Sequence, residues 1–199
     1  YKFKERAKDG IIKGKVAQIE DKKDVQELLE LCKKSKYVVD NVHDKIGFKN
    51  PSAPFTTSTL QQEASRKLGY TVKRTMTAAQ KLYENGYITY MRTDAVILSK
   101  DSLENIKQYV NEKYGKKYYK KTEYTTKSKN AQEAHEAIRP TDVFKDDIIN
   151  DGKIDQEESR LYNLIWKRTV ASQMSPAEIK TIVIQSTISK TDDYFFVTS

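Results

Sequence analysis

The sequence predicts an α+β protein in which a mainly helical segment is inserted between two stretches of strand. β-branched and aromatic runs stand near both ends, at Ile11-Ile12, Val16 to Ile19 and Tyr37-Val38-Val39 on one side and in TIVIQSTIS and YFFVTS on the other. Between them, apolar residues recur at helical spacing. The prolines fall where the pattern changes: Pro51 and Pro54 precede the helical segment and Pro176 follows it. The chain therefore reads as residues 1–50, β-rich, 51–176, helical, and 177–199, β-rich again. The two outer parts are expected to pair in one sheet, with joints at the prolines.

Each element has a local signal. In DVQELLELCKK, Val25, Leu28, Leu29 and Cys32 share a helical face behind Asp21 as N-cap, which makes Cys32 a core residue rather than a reactive thiol. In the insert, Ser58 and Gln61 form a capping-box pattern ahead of the stripe Leu60, Ala64 and Leu68, and Gly69 suits the left-handed end. Thr71 caps a second helix with Val72, Met76, Ala79 and Tyr83 on its inner face, ended by Gly86. Two helices followed by a short strand, YITYM, resemble the order of winged-helix DNA binders, so the inserted domain is expected to be winged-helix-like. A third helix starts near Ser99 and uses Leu103, Ile106 and Val110. A fourth runs from about Gln156 to Met174 through Leu161, Leu164, Ile165, Trp166 and Val170. Lys190 to Asp193 reads as a hairpin turn.

Thirty-six Lys and Arg against 28 Asp and Glu leave a formal charge of +8, which draws polyanions by long-range field and counterion release. Nucleic acid is the first partner to consider; a merely soluble basic surface is the alternative. Cys32 is the single cysteine, so the chain can build neither an internal disulfide nor a thiolate metal site, and a reducing intracellular compartment fits. No apolar run approaches the roughly 18 residues that span a bilayer, so no membrane partner is expected. The opening YKFKERAKDG has no signal-peptide apolar region, and the chain reads as a piece of a longer polypeptide.

Four stretches could carry chemistry. The first is GYITYMRTD, residues 86–94: on a strand, Ile88, Tyr90 and Arg92 share one face and the arginine stands beside the phenol. A phenol of pKa about 10 is a poor nucleophile at neutral pH, and a neighbouring guanidinium would favour its phenolate and clamp phosphodiester oxygens. The competing reading pairs Arg92 with Asp94 and leaves Tyr90 as a half-buried strand aromatic. The second is AQEAHEAIRP, residues 131–140, where on a helix His135 and Arg139 face the same way and could hold one phosphate, or His135 could pass a proton. His135 as a structural histidine is the alternative. The third, KKYYKKTEYTTKSKN at 116–130, interleaves lysines and tyrosines as single-strand binders do, or forms a solvated loop. The fourth, DDIINDGKIDQEE, mimics a calcium loop but puts Ile149 where a ligand should stand, so Asp151 to Glu158 reads as the acidic start of the fourth helix and no metal site is expected.

Taken together, PFTTSTLQQEASRKLG at 54–69, AQKLYENGYITYMRTD at 79–94 and EAHEAIRPTD at 133–142 resemble the type IA DNA topoisomerases of the bacterial topoisomerase I kind. The resemblance runs from about residue 50 to 176, and it implies that the strand-rich flanks belong to a hinged β-rich arch domain. It also implies that Tyr90 is the nucleophile that becomes linked to a 5′ phosphate of single-stranded DNA, with Arg92 beside the scissile phosphate and His135 in the same pocket. Gln80, Tyr83, Glu84, Thr89, Thr93 and Asp94 match the surrounding motif and, with Arg139, are expected to position DNA or support the pocket. The family's Mg²⁺ site lies in a toprim domain with an acidic DxDxE cluster, which these 199 residues do not contain. The resemblance therefore implies that Mg²⁺ binds outside this chain, that the toprim domain of the same polypeptide is its partner, and that the fragment alone is inactive.

Overall fold

The computed structural model describes residues 1–125, 136–148 and 152–198. They fall into two compact units, one made of Tyr1–Lys49 with Glu178–Ser199 and the other of Asn50–Ala177. The fold is of mixed helix and strand.

The first unit is built on a five-stranded sheet of β1 (Lys2–Arg6), β2 (Ile12–Lys15), β3 (Tyr37–Lys49), β4 (Ala177–Ile188) and β5 (Thr191–Thr198), in the order β2-β1-β5-β4-β3. Strands from the two ends of the chain do pair: β1 runs antiparallel to β5, with Lys2 opposite Tyr194. The turn between β1 and β2 uses the expected Asp9-Gly10, where Gly10 has φ 83° and Asp9 accepts the Ile11 N–H at 3.1 Å. Two contacts reach across the sheet between strands three places apart in its order. The Gln185 amide of β4 bonds both the N–H and the carbonyl of Ile12 in β2 at 2.8 Å, and Arg6 of β1 makes a forked pair with Asp40 of β3 at 2.6 and 2.9 Å. At a strand spacing of about 4.8 Å these partners would stand about 14 Å apart in an open sheet, so the sheet curls back on itself to allow both.

Several expectations need correcting here. Val16 to Ile19 lie outside the strands, and β3 continues to Lys49. The hairpin turn is Ser189-Lys190, because Thr191 already belongs to β5. Helix α1 (Lys22–Lys33) is capped by Asp21 as expected, but Val25 and Leu29 are exposed and Cys32 is only half-buried, so Cys32 is not a core residue.

The second unit packs α2 (Thr57–Leu68), α3 (Val72–Glu84), α4 (Lys100–Lys113) and α5 (Gln156–Ser172) around a core that includes Phe55, Leu60, Leu82, Ile106, Ile138 and Ile165. Helix α2 is capped by Thr56 in a capping box with Thr59, two residues ahead of the expected Ser58 and Gln61. Gly69 (φ 68°) ends it in the left-handed region, as its position suggested. Thr71 caps α3 and Ser99 caps α4. Asp155 and Glu158 form a reciprocal capping box at the start of α5, the helix start expected for that acidic stretch.

The inner face of α3 is rotated from the expected one: Thr75, Ala78, Ala79 and Leu82 are buried, whereas Val72 and Tyr83 are exposed. Thr75 can be buried because its hydroxyl donates to the Thr71 carbonyl at 2.9 Å, which removes the penalty for an unpaired polar group. On the side toward α5, Lys81 pairs with the buried Glu158 at 2.7 Å and Arg74 forks onto Glu157.

The strand expected over residues 87–91 shrinks to one bridge between Ile88 and Pro140, flanked by Thr89 N–H to Arg139 carbonyl at 2.9 Å and Thr141 N–H to Tyr87 carbonyl at 3.0 Å. The pairing does not grow into a ladder because the donors that would extend it are used elsewhere: the Tyr87 N–H goes to the Leu82 carbonyl and the Arg139 N–H to the Thr89 hydroxyl. The strand of a winged helix is therefore missing from these residues. Residues 136–140 are not helical either; Ile138 bridges to Phe55 in extended backbone. The lysine- and tyrosine-rich stretch is partly packed, since Tyr124 donates to the carbonyls of Pro51 and Ser172 and Tyr119 bridges Met174.

The rotated face gives a direct test. Leu82→Ala should lower the unfolding free energy by about 2–5 kcal/mol, while Val72→Ala should change it by less than about 0.5 kcal/mol. Urea denaturation followed by circular dichroism measures both; equal losses would restore the face that contains Val72.

Candidate active site

Residues 87–95 alternate between anchors and exposed groups without being a strand. Tyr87, Ile88, Met91 and Ala95 are buried, and Tyr90 and Arg92 project outward between them. The backbone is secured at both ends by threonines. The Thr89 hydroxyl donates to the Ala137 carbonyl at 2.7 Å and accepts the Arg139 N–H at 3.0 Å. The Thr57 hydroxyl, in the first turn of α2, donates to the Met91 carbonyl at 2.7 Å and accepts the Thr93 N–H at 2.9 Å. Thr93 turns its own hydroxyl to the Ala95 N–H at 3.1 Å, which starts the following bend.

Tyr90 is 44% exposed, and its ring meets that of Tyr83 edge to face at 5.3 Å between centroids. Tyr83 is available for this contact because it lies off the buried face of α3. Gln80 donates to Glu84 at 2.7 Å on the same face of that helix. Among the described residues the Tyr90 hydroxyl has no hydrogen-bond partner, and Arg92 makes no ion pair; the expected alternative of an Arg92–Asp94 bridge is absent.

Arg92, Thr93 and Asp94 line an open cleft of 360 Å³ together with Thr57 and Ser58. An unpaired guanidinium beside the N-terminal turn of a helix favours an anion, and the Asp94 carboxylate on the same wall limits how much negative charge fits comfortably. Thr57 and Ser58 escaped the sequence reading as site residues. The signal was there in Thr56-Thr57-Ser58-Thr59, four hydroxyls where a helix cap needs one.

Arg139 is placed differently. Its guanidinium is largely buried, forks onto Glu136 at 2.6 and 3.0 Å, and donates to the Pro140 carbonyl at 3.0 Å. It lines a separate small cavity with Asp101 and Ser102 and does not join Arg92 in the cleft. His135 lies outside the described residues. Among the described residues no three His, Cys, Asp or Glu side chains come together as a metal-ligand group, and none of the helices is long and apolar enough to cross a membrane.

An exposed phenol and an unpaired guanidinium on a basic chain make a surface suited to phosphate, and comparison with known proteins gives that surface its setting. A family model described as DNA topoisomerase matches residues 2–198. A DNA topoisomerase 1 of prokaryotic type from Acanthamoeba polyphaga mimivirus is 49% identical over 185 residues, covering 89% of this chain and 21% of that protein. DNA topoisomerase 1 of Synechocystis is 52% identical over 163 residues, covering 80% of this chain and 18% of the relative. The solved full-length topoisomerase I of Thermotoga maritima superposes with a TM-score of 0.68 at 33% identity, over 93% of this chain and 30% of that one. The chain belongs to the DNA topoisomerase family. It spans about a fifth of the length of these curated relatives.

Glu136 gives the support of the site a pH signature. Burial raises its pKa, but hydrogen bonds from Ser99, through its side chain and its N–H, and from Arg139, together with the Arg139 charge, outweigh burial and hold the carboxyl below its ordinary value. A pKa lower in the folded than in the unfolded chain adds stability above the ordinary glutamate value of about 4.3, and that stability is lost as pH falls through the folded value. Glu136→Gln should therefore lower the urea midpoint at neutral pH, with the gap to wild type closing as pH drops below about 4. A gap independent of pH would remove the ion pair from this account.

Proposed function

We propose that this chain is the nucleophile-bearing part of a type IA DNA topoisomerase that cuts and reseals one DNA strand to relax negative supercoils. The observation that carries the proposal is the pairing of two outward groups, Tyr90 without a hydrogen-bond partner and Arg92 without a carboxylate among the described residues, on a backbone held at both ends. Both stand in a chain whose family and net charge point to DNA.

In this reading the Tyr90 phenol gives up its proton and its oxygen attacks a phosphodiester of a single strand. The bond to the 3′ oxygen breaks, that oxygen takes up a proton, and the 5′ phosphate stays on the tyrosine. Resealing is the reverse attack by the 3′ hydroxyl. One phosphodiester is exchanged for one phosphotyrosine ester, so no ATP is consumed. Arg92 binds the non-bridging oxygens as charge moves onto them, a contact stronger in the transition state than in the ground state. Tyr83 packs on the edge of the Tyr90 ring and limits its rotation, and the Gln80, Glu84 and Asp94 side chains border the path of the strand. His135 is proposed as a further group of the same pocket, on the resemblance alone. Arg139 is assigned support rather than DNA contact, since its guanidinium already serves Glu136. Mg²⁺ is proposed only as an ion held elsewhere in the complete polypeptide, and no step here passes through it.

In the full-length protein Tyr90→Phe should abolish the covalent adduct with labelled single-stranded DNA while leaving affinity nearly unchanged, because only the hydroxyl is lost. Arg92→Ala should slow adduct formation by about two orders of magnitude, near 3 kcal/mol of transition-state stabilisation. Arg92→Lys should recover little, since an ammonium keeps the charge but not the planar fork. A denaturing gel decides: an adduct that persists in Tyr90→Phe would assign the nucleophile elsewhere. Sequence-specific duplex binding with no adduct at all would favour a non-enzymatic DNA-binding module.

A further inference from the structure

Arg92 has no side-chain partner among the described residues, so the direction of its guanidinium depends on how its backbone is held. Thr57 holds it on both sides. The Met91 carbonyl, to which the Thr57 hydroxyl donates at 2.7 Å, belongs to the peptide preceding Arg92. The Thr93 N–H, which the same hydroxyl accepts at 2.9 Å, belongs to the peptide following it. Rotation of Arg92 about φ would move the first group and rotation about ψ the second. One oxygen bonded to both therefore fixes both torsions. The Thr57 N–H adds a third tie to the Thr93 carbonyl at 2.9 Å.

The clamp is itself anchored. Thr57 stands in the first turn of α2, whose Leu60 and Ala64 are fully buried in the core of the helical unit. Thr56 and Thr59 already cap that helix, so the Thr57 hydroxyl is not needed for capping. Its two bonds cross 34 and 36 residues of sequence to reach the segment that carries Tyr90 and Arg92.

We propose that Thr57 is a positioning residue for Arg92: its hydroxyl sets the backbone torsions that aim the guanidinium at the phosphate attacked by Tyr90. This rests on the function proposed above. Valine at 57 keeps the shape of the side chain but loses both hydroxyl bonds and frees Arg92 to turn. Serine keeps both.

The test is a double-mutant cycle in the full-length protein, with Thr57→Val, Thr57→Ser and Arg92→Ala alone and combined, read as single-turnover formation of the Tyr90–DNA adduct and as affinity for a single-stranded oligonucleotide. Thr57→Val should slow the adduct roughly ten- to a hundredfold, the scale of a misplaced catalytic group, with affinity within about twofold of wild type. Thr57→Ser should restore the rate to within about threefold. In the Arg92→Ala background Thr57→Val should slow the reaction by less than about twofold more, because no guanidinium remains to be misdirected.

Wild-type rates in Thr57→Val, or the same slowing in both backgrounds, overturn the proposal; the second is what a general loosening of the fold would produce. Should valine compromise folding, Thr57→Ala removes the hydroxyl without adding a methyl and takes its place in the cycle. A wild-type protein that forms no adduct overturns the proposed function and this inference with it. A wild-type adduct with an indifferent Thr57→Val overturns this inference alone.

Discussion

The site depends on one constraint: residues 89–93 must hold two polar side chains in water on a backbone that has no sheet ladder. Peptide groups in such a stretch lie against the core through Met91 and cannot be left unpaired, since each buried orphan costs about as much as a lost hydrogen bond. Regular structure would satisfy them automatically, but the pairing ends at Ile88, where the Tyr87 N–H bonds the Leu82 carbonyl and the Arg139 N–H the Thr89 hydroxyl. Two threonine hydroxyls take over, each serving as donor and acceptor at once: Thr89 toward residues 137–139 and Thr57 toward residues 91–93. The exposed pair Tyr90 and Arg92 is what lies between these two fastenings.

A fastening is only as firm as what it is fixed to, and both ends lead into the same packed body. Thr57 is continuous with α2, which packs on α3 and α5. Those two helices are tied by the Lys81–Glu158 and Arg74–Glu157 pairs as well as by apolar burial. Buried hydroxyls at Thr75, Thr169 and Ser172 are each satisfied by a carbonyl of the preceding turn, so the helices meet closely without orphaned donors. The β-rich unit is built otherwise. Few of its side chains are fully buried, and long-range polar contacts such as Gln185 to Ile12 and Arg6 to Asp40 do much of its stitching. A rigid helical unit suits the placing of reacting groups, where errors of an ångström are expensive.

Local chemistry was readable in the sequence and distant chemistry was not. Asp21, Thr71 and Ser99 stand where caps belong, and Gly69 and Gly86 stand at positive φ, because each of these features is decided within four residues. The cap of α2 was misplaced by two because any of Thr56 to Thr59 could have served. The face of α3 was misjudged because a rule that keeps polar residues outside cannot see that the Thr75 hydroxyl is satisfied by its own helix. The length of β3 was hidden by its mixed pattern, YVVDNVHDKIGFK, most of which is exposed. The strand at 87–91 failed because the Arg139 N–H, 50 residues away, bonds the Thr89 hydroxyl instead of a strand carbonyl. Thr57 left no periodic trace, since its partners lie beyond any local window. His135 lies outside the described residues, so its place in the pocket rests on the resemblance.

Arg92 and Arg139 show why residue type alone underdetermines a site. Both stand in motifs that suggested phosphate contact, yet among the described residues one guanidinium has no partner and the other is locked on Glu136 and the Pro140 carbonyl. The locked arginine is not idle. Glu136 also accepts the N–H of Ser99, the cap of α4, so the Arg139–Glu136 pair fixes residues 136–139 against the start of that helix. Those residues supply the Ala137 carbonyl and the Arg139 N–H that hold Thr89, one residue before Tyr90. Neutralising one arginine thus steadies the backbone that displays the other. The two arginines divide the work: Arg139 holds backbone in its own small cavity, and Arg92 presents its charge in the open cleft.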